Sequence, residues 1–484
     1  MNKTVTPLSR RKFITLAGGS ALAVSLSGQK VLGANDRVRV AMISCGGRAG
    51  SLVTQFGKLP GVEIVAICDP DLAQMDKLVK RAADKELDIS KAKKIQDYRK
   101  VYERKDIDAV VISSPNYWHT LHAIEAVQAG KHVYVEKPVS HNLWEGQQLI
   151  AAEKKYGKVI AAGTQNRSDP GPQAGIQYVQ EGNLGKILSV HACCFRNRSS
   201  IGAPLAQPLV PPSTVDYNLW LGPVADKPMY RPRFHYDWHW IFNTGNGDIG
   251  NQAPHEIDMM CWLLGDGPLP FQMKSFGGRF GWNDAGNTPN LHTAFFKKKG
   301  IPCIIEVNDL WVSPDENRPG IRDQVRVGIV VRCEGGELRG GRGGMYTVGE
   351  DGKTKIEKFP GDGGQAHAQN FIDAVRADNS KGLAAKVANS VKSSNLAHLA
   401  NISYQAGSKV PEKRIRAMVQ DDKHLNLILD EQAAQLKNWG IDQPKYTRGQ
   451  IIKIDPKTNT VKNEGVETLV RPVGRKEFKV PELV

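Results

Sequence analysis

The chain has 484 residues, 40 % of them hydrophobic and 24 % charged, with seven cysteines. Those proportions fit globular domains with sizeable cores and exclude a collagen-like, largely disordered or disulfide-stapled chain. Basic residues exceed acidic ones by 15, but the excess is scattered, which argues against nucleic acid as a partner, and no run of about 18 apolar residues marks an integral membrane segment.

Five of the excess positive charges (Lys3, Arg10, Arg11, Lys12 and Lys30) fall within residues 1–34, which hold no acid. Ser9-Arg10-Arg11-Lys12-Phe13 precedes a weakly apolar stretch over 14–26 rich in Ala, Gly and Ser. That is the pattern of a Tat export signal with cleavage near Leu32-Gly33-Ala34, and the competing reading is a first amphipathic helix. The expectation is a periplasmic protein whose partners include the Tat machinery, which carries chains already folded. The cysteines (45, 68, 193, 194, 261, 303 and 333) show no paired metal or redox spacing. Buried thiols are expected, with no metal site and no structural disulfide.

From residue 37 short apolar runs alternate with helical segments. Val38–Ile43, 64–68, Ala109–Ile112, His132–Val135 and 158–162 read as buried parallel strands covered on both faces by helices. After the first strand comes Ser44-Cys45-Gly46-Gly47-Arg48-Ala49-Gly50. In a strand–turn–helix unit such a turn lets backbone approach a pyrophosphate, although Ser44 stands where the first glycine belongs. Asp69 ends the next strand, placed for a ribose 2′-hydroxyl, and its charge favours NAD over NADP. The competing reading makes Asp69 a helix cap before Pro70.

Ser113-Ser114-Pro115-Asn116-Tyr117-Trp118-His119 and Glu136-Lys137-Pro138 follow two later strands. Ligands of open parallel sheets bind at the carboxyl ends of strands, so both clusters should meet in one crevice. Pro138 should hold Lys137 extended at its lip, and partial desolvation should depress the lysine pKa to suit proton transfer. The bland reading pairs Glu136 with Lys137 at the surface.

The glycine turn, Pro115-Asn116…His119, Glu136-Lys137-Pro138 and Gly163-Thr164-Gln165-Asn166-Arg167 together resemble the Gfo/Idh/MocA oxidoreductases over most of residues 37–415. The resemblance implies an N-terminal Rossmann dinucleotide-binding domain and a C-terminal α+β domain with a large, mainly antiparallel open sheet. It implies action on sugars, inositols and related polyols, with Lys137 catalytic. The cofactor-binding candidates are Ser44, Gly46, Gly47, Arg48, Asp69, Ser114, Pro115, Asn116, His119, Glu136, Lys137 and Gln165. In the family pattern a helix carrying Asp-x-x-x-His completes the site. The matching stretch, residues 247–258, puts 251 and 255 on one helical face, with His255 as general base or acid. Position 251 is Asn, however, which should lower the pKa of His255 and weakens simple polyol oxidation.

Arg231-Pro232-Arg233-Phe234-His235-Tyr236-Asp237-Trp238-His239-Trp240 suits a carbohydrate, stacking on its C–H face and bonding its hydroxyls, or equally a buried aromatic mini-core. Substrate-binding candidates are thus Arg167, His235, Tyr236, Trp238, His239, Asn251 and His255. Alternating runs at 274–276, 293–296, 303–307 and 325–333 form a β-sheet with turns at Gly335-Gly336 and Gly340-Gly341, and an open face of it would favour a homo-oligomer. Residues 366–375 and 385–404 read as helices, with His367 packing or capping. The chain divides into a signal (1–34), an NAD-binding domain (35–165), a substrate domain (166–415) and an extension (416–484) that carries a strand at 451–454 and has no assigned role.

The leading expectation is a nicotinamide-dependent oxidoreductase acting on a carbohydrate or polyol hydroxyl. Outside the cytoplasm NAD is not replenished, so the nucleotide should be tightly held and recycled within the cycle. The alternatives are glycoside cleavage through a transient keto-sugar and elimination, or a non-catalytic sugar-binding protein.

Overall fold

The computed structural model describes residues 37–484; the stretch read as an export signal, 1–34, lies outside them. Among the described residues the strands form two sheets. The first holds β1 (Val38–Ile43), β2 (Val62–Cys68), β3 (Lys93–Ile95), β4 (Ala109–Ile112), β5 (His132–Val135) and β6 (Ile160–Ala162), in the order β3-β2-β1-β4-β5-β6. Every pairing in it is parallel. This is the Rossmann arrangement, and the order reverses between β1 and β4, which opens a crevice at their carboxyl ends.

The strands are apolar throughout because both faces are buried. Val40 and Met42 face Leu52 and Phe56 of the helix Gly47–Gly57, together with Met75, Phe371 and Ile372. Ala41 and Ile43 face the other way, into a core with Leu121, Ile124 and Leu149. The helix Leu72–Ala83 starts at Asp71, whose side chain accepts from the Ala73 N–H at 3.0 Å. The cap before this helix is therefore Asp71 and not Asp69.

The second sheet holds β7 (Ile187–Phe195), β8 (Gln272–Gly278), β9 (Leu291–Lys298), β10 (Ile301–Asn308), β11 (Val327–Cys333), β12 (Gly336–Gly341), β13 (Gly344–Val348), β14 (Lys355–Pro360), β15 (Ser408–Pro411), β16 (Lys445–Arg448), β17 (Ile452–Asp455) and β18 (Thr460–Val461). Its order is β14-β13-β12-β11-β7-β10-β9-β8-β16-β15, with β17 also on β8 and β18 on β17. All pairings are antiparallel except β7 with β10. On one face Cys303, Ile305 and Val307 pack with Ile257, Met260, Leu396 and Leu399 from the helices Pro254–Leu263 and Val387–Gln405. Gly340 and Gly341 lie within β12 rather than in a turn. Gly340 has φ +127, and a Cβ there would sit 2.6 Å from the Gly344 carbonyl, so glycine is what lets the hairpin close.

Residues 416–484 are built into the large sheet and also pack against the Rossmann half. β16 pairs with β8 and β15, and β17 pairs with β8. The helix Lys423–Asn438 covers the other face of the large sheet, where Leu425, Ile428 and Leu429 meet Phe276, Leu291 and Ile304. The face that the sequence reading left open is thus covered here by the chain itself. Beyond it Phe478 packs edge-on to Trp118 at 5.3 Å, and the Leu483 N–H donates to Gln148 Oε1 at 2.6 Å. The helix Val387–Gln405 joins the halves, with Val387 and Val391 in the Rossmann core and Leu396 to Ile402 under the large sheet. All seven cysteines are free and buried. No helix of the described residues is long and apolar enough to cross a membrane, and no cluster of three or more His, Cys, Asp or Glu among them could hold a metal ion.

Candidate active site

A cleft of about 590 Å³ opens at the carboxyl ends of β1, β4 and β5. Its floor is the glycine turn. Ser44 adopts φ +73, the left-handed conformation a glycine would take at no cost, and its hydroxyl lies 3.3 Å from Asp69 Oδ2. The same oxygen accepts from the Cys45 N–H at 2.7 Å, while Oδ1 accepts from the Asp71 N–H at 2.9 Å. Asp69 therefore braces the turn as well as lining the cleft. Burial raises it to about 6 despite those N–H donors.

A Cβ added at Gly47 would meet nothing within 4 Å, and one at Gly46 only the Ser44 hydroxyl at 3.9 Å. The space in front of the turn is open. Helix Gly47–Gly57 has no side-chain cap and no acid in its first turn, so its leading N–H groups and dipole face that space. Arg48 Nη2 and Gln165 Oε1 are buried without a partner. A free donor, a free acceptor and an uncapped helix N-terminus fit a dinucleotide's pyrophosphate and amide.

Glu136 sits at the centre of a bonded cluster. It accepts from Arg48 Nε at 2.8 Å, Gln165 Nε2 at 3.0 Å and the Tyr134 hydroxyl at 3.3 Å. Burial pushes its pKa up, but Arg48 and Lys137 outweigh that and hold it at about 2. Its partner is thus Arg48, not a surface pairing with Lys137. A Cβ at Gly163 would fall 2.7 Å from the Glu136 carboxyl carbon, so glycine there leaves room for the cluster.

Lys137 is half-buried and turned inward rather than standing at the lip. Its Nζ donates to the Asn251 carbonyl and lies 3.5 Å from Asn251 Oδ1. Burial lowers its pKa, with Glu136 opposing. His255 is 8 % exposed, and burial together with Lys137 keeps it far below its ordinary value and neutral. The helix expected over 247–258 is two, Gly247–Asn251 and Pro254–Leu263, because Pro254 has no N–H to continue the ladder. Residues 251 and 255 still line the same cleft from either side of the break.

The opposite wall is aromatic. His235, Tyr236, Trp238 and His239 all line the cleft, while Phe234 and Trp240 are buried beneath. The segment is thus part cleft lining and part buried aromatic core. Trp238 and His239 stack at 3.6 Å. His239 Nδ1 is 2.5 Å from the Tyr236 carbonyl; an N–H there donates to it and leaves Nε2 a lone-pair acceptor, with the ring held neutral by burial at about 3. His235 Nε2 is 2.8 Å from Asp71 Oδ2.

Ser114, Pro115, Asn116 and His119 line the cleft too, but much of their bonding capacity is spent within the protein. Asn116 donates to Asn246 Oδ1 at 3.2 Å, and Ser114 Oγ is 3.2 Å from His122 Nδ1. His119 lies between the carbonyls of Pro138 and Ser114, at 2.6 and 2.7 Å, tying the two strand-end loops together. Arg167 corrects the sequence reading: it does not line the cleft. Asp258 takes it in a bidentate pair at 2.7 and 3.0 Å and Asp266 accepts two further bonds at 3.1 and 3.4 Å. His367 bonds Ser168 and the Ala162 carbonyl, at 2.7 and 3.0 Å. The sequence reading missed Lys77, Arg81 and Arg342, which also line the cleft. No motif marks them, and long-range folding brings Arg342 in from the turn between β12 and β13.

Residues 38–164 match the Gfo/Idh/MocA family model, described as an oxidoreductase family with an NAD-binding Rossmann fold. A glycosyl hydrolase family 109 protein of Solibacter usitatus is 36 % identical over 170 residues, 31 % of this chain and 36 % of that protein. An alpha-N-acetylgalactosaminidase of Shewanella oneidensis is 36 % identical over 138 residues, 27 % of this chain and 30 % of that one. The alignment thus spans about a third of these relatives' length. Among solved structures, the WlbA dehydrogenase of Bordetella pertussis, in complex with NADH and UDP-GlcNAcA, shares the fold at 19 % identity. Its TM-score is 0.54, over 75 % of this chain and 95 % of that one.

Proposed function

We propose that this chain, with a nucleotide-binding domain of the Gfo/Idh/MocA type, is an NAD(P)-dependent enzyme that cleaves a glycoside by a redox-neutral route through a transient ketone. The observation that carries this reading is the pair of relatives matched above 35 % identity, both glycoside-cleaving by name. It agrees with a cleft that sets a lysine and neutral histidines beside the open glycine turn. NAD is the nucleotide we favour, on Asp69, and we take it to be retained through the cycle. Export by the Tat route, proposed on Ser9-Arg10-Arg11-Lys12-Phe13, would make that retention necessary.

When bound, the nicotinamide supplies reversible storage of one hydride. The protein's own groups handle protons. Lys137 would polarise a ring hydroxyl whose carbon becomes the ketone, and His255 would take that hydroxyl proton. The ketone acidifies the neighbouring C–H. His239 Nε2, a lone-pair acceptor on the facing wall, would take that proton as the glycosidic oxygen departs with its bonding electrons and picks up a proton from solvent. Water then adds where the substituent left, and restoring the hydroxyl leaves no net change in oxidation. Trp238 and Tyr236 would hold the sugar's C–H face.

The test is incubation of the purified protein with aryl glycosides in D₂O and no added nucleotide. The expected result is release of the aryl alcohol with solvent deuterium on the carbon next to the transiently oxidised one. Cleavage without deuterium would overturn the elimination route. Turnover only with stoichiometric added NAD, and reduced nucleotide accumulating, would instead make the protein a plain sugar dehydrogenase.

A further inference from the structure

The residue that departs from the family pattern, Asn251, has a carboxylate three positions before it. Asp248 is 1 % exposed and takes a bidentate pair from Arg198, Nε to Oδ2 at 2.6 Å and Nη2 to Oδ1 at 2.9 Å. Asn251 Nδ2 donates to the same Oδ1 at 2.7 Å. With its nitrogen turned to Asp248, the amide must turn its oxygen the other way, toward the Lys137 ammonium. The side chain donates at one end and accepts at the other, which an aspartate could not do.

The surroundings explain why an amide stands here. Asp309 is fully buried against Asp248. Burial and the Asp248 charge push Asp309 far up, so it keeps its proton, while Arg198 overcomes burial and holds Asp248 ionised. One guanidinium already serves two carboxyl groups. A third carboxyl at 251 would set an acceptor oxygen against Asp248 Oδ1, where the Asn251 amide now donates at 2.7 Å, and the two charges would repel.

We propose that Asp248 is a positioning residue for Lys137, acting through Asn251. It fixes the amide so that the carbonyl oxygen faces the ammonium, and it supplies from one turn away the negative charge that the family pattern carries at 251. This deepens the proposed function, since it rests on Lys137 being the reacting lysine. The other charged and titratable groups around Lys137 are Glu136, Arg48, Glu256, His255 and His239. Glu136 is paired with Arg48. Burial drives Glu256 up to about 8 and keeps both histidines neutral. Asp248 is likewise paired, with Arg198, and what distinguishes it is the Asn251 amide bonded to it on one side and turned to the Lys137 ammonium on the other.

The test reads Lys137 without any substrate. Trace acetic anhydride is applied across a pH series, and the acetylation rate at Lys137, followed by mass spectrometry, gives the midpoint of its titration. NAD binding is measured in parallel. Asp248→Asn should lower the midpoint by about one pH unit. Asp309→Asn, which keeps the Asp248 charge and its bond to Asn251, should leave it in place. The double variant Asp248→Asn with Asn251→Asp, which moves the carboxylate to 251, should restore it. An Asp248→Asn protein that binds NAD with the midpoint unmoved overturns the proposal, as does a double variant that binds NAD and stays as low as the single. If Asp248→Asn does not fold, Asn251→Ala must shift the midpoint in the same direction, and no shift overturns the proposal. Loss of the glycosidase reading would show as absent turnover with these midpoints still behaving as described.

Discussion

On its nucleotide side the cleft presents backbone: the turn at Gly46 and Gly47, an uncapped helix start, and strand ends one after another in chain order. On its substrate side it presents side chains that hold one another, Lys137 to Asn251, Asn251 to Asp248, Asp248 to Arg198. These come from segments about 50 to 110 residues apart. Backbone sites are specified by local geometry and tolerate most changes of side chain except at the glycines. Side-chain networks fail when a single member is removed, because the remaining partners are buried and cannot turn to water.

The largest expected effect is on the network. Lys137→Ala should cut turnover by about 10³-fold while leaving NAD affinity within about twofold, measured by kinetics beside a fluorescence titration. Equal losses in both would erase the division between the two sides. Next comes Glu136, the side chain on which the nucleotide wall most depends. Glu136→Ala leaves the half-buried Arg48 guanidinium without its carboxylate, at a cost of about 2 kcal/mol in stability, read by denaturant titration. Its carboxyl is held at about 2, below the ordinary 4.5. A depressed acid stabilises the fold above its unfolded pKa. The wild-type advantage over Glu136→Gln should therefore be complete above about pH 5 and fade as pH falls toward 2. The smallest effect separates two glycines. Gly47→Ala should keep its melting temperature within about 2 °C and weaken nucleotide binding about tenfold, since its Cβ enters only the open space. Gly163→Ala should disturb Glu136 and lower the melting temperature as well.

The same contrast explains how much could be read beforehand. The parallel strands, the glycine turn and the Glu136-Lys137-Pro138 segment are local patterns, and each is where the alternation of apolar runs puts it. The Asp69 carboxylate was found, but its bonds to Cys45 and Asp71 depend on the fold of the turn. Arg167 looked free because its partners, Asp258 and Asp266, lie about 90 to 100 residues further on. Asp248 went unread for the same reason, since its meaning depends on Arg198 and Asp309. The extension over 416–484 gave no local sign that β16 and β17 would join β8, because strand pairing across such distances leaves no periodic trace.

Phe478 against Trp118, and the Leu483 N–H on Gln148, carry a consequence for assembly on the ribosome. The Rossmann strands emerge first, yet one face of their core stays without its cover until a segment 335 residues beyond Gln148 has been made. The nascent nucleotide half must wait, with Trp118 and its apolar neighbours unshielded, for most of the synthesis time of the chain. At about 5–20 residues per second that is on the order of half a minute, a window in which a holdase chaperone is the natural company for this polypeptide.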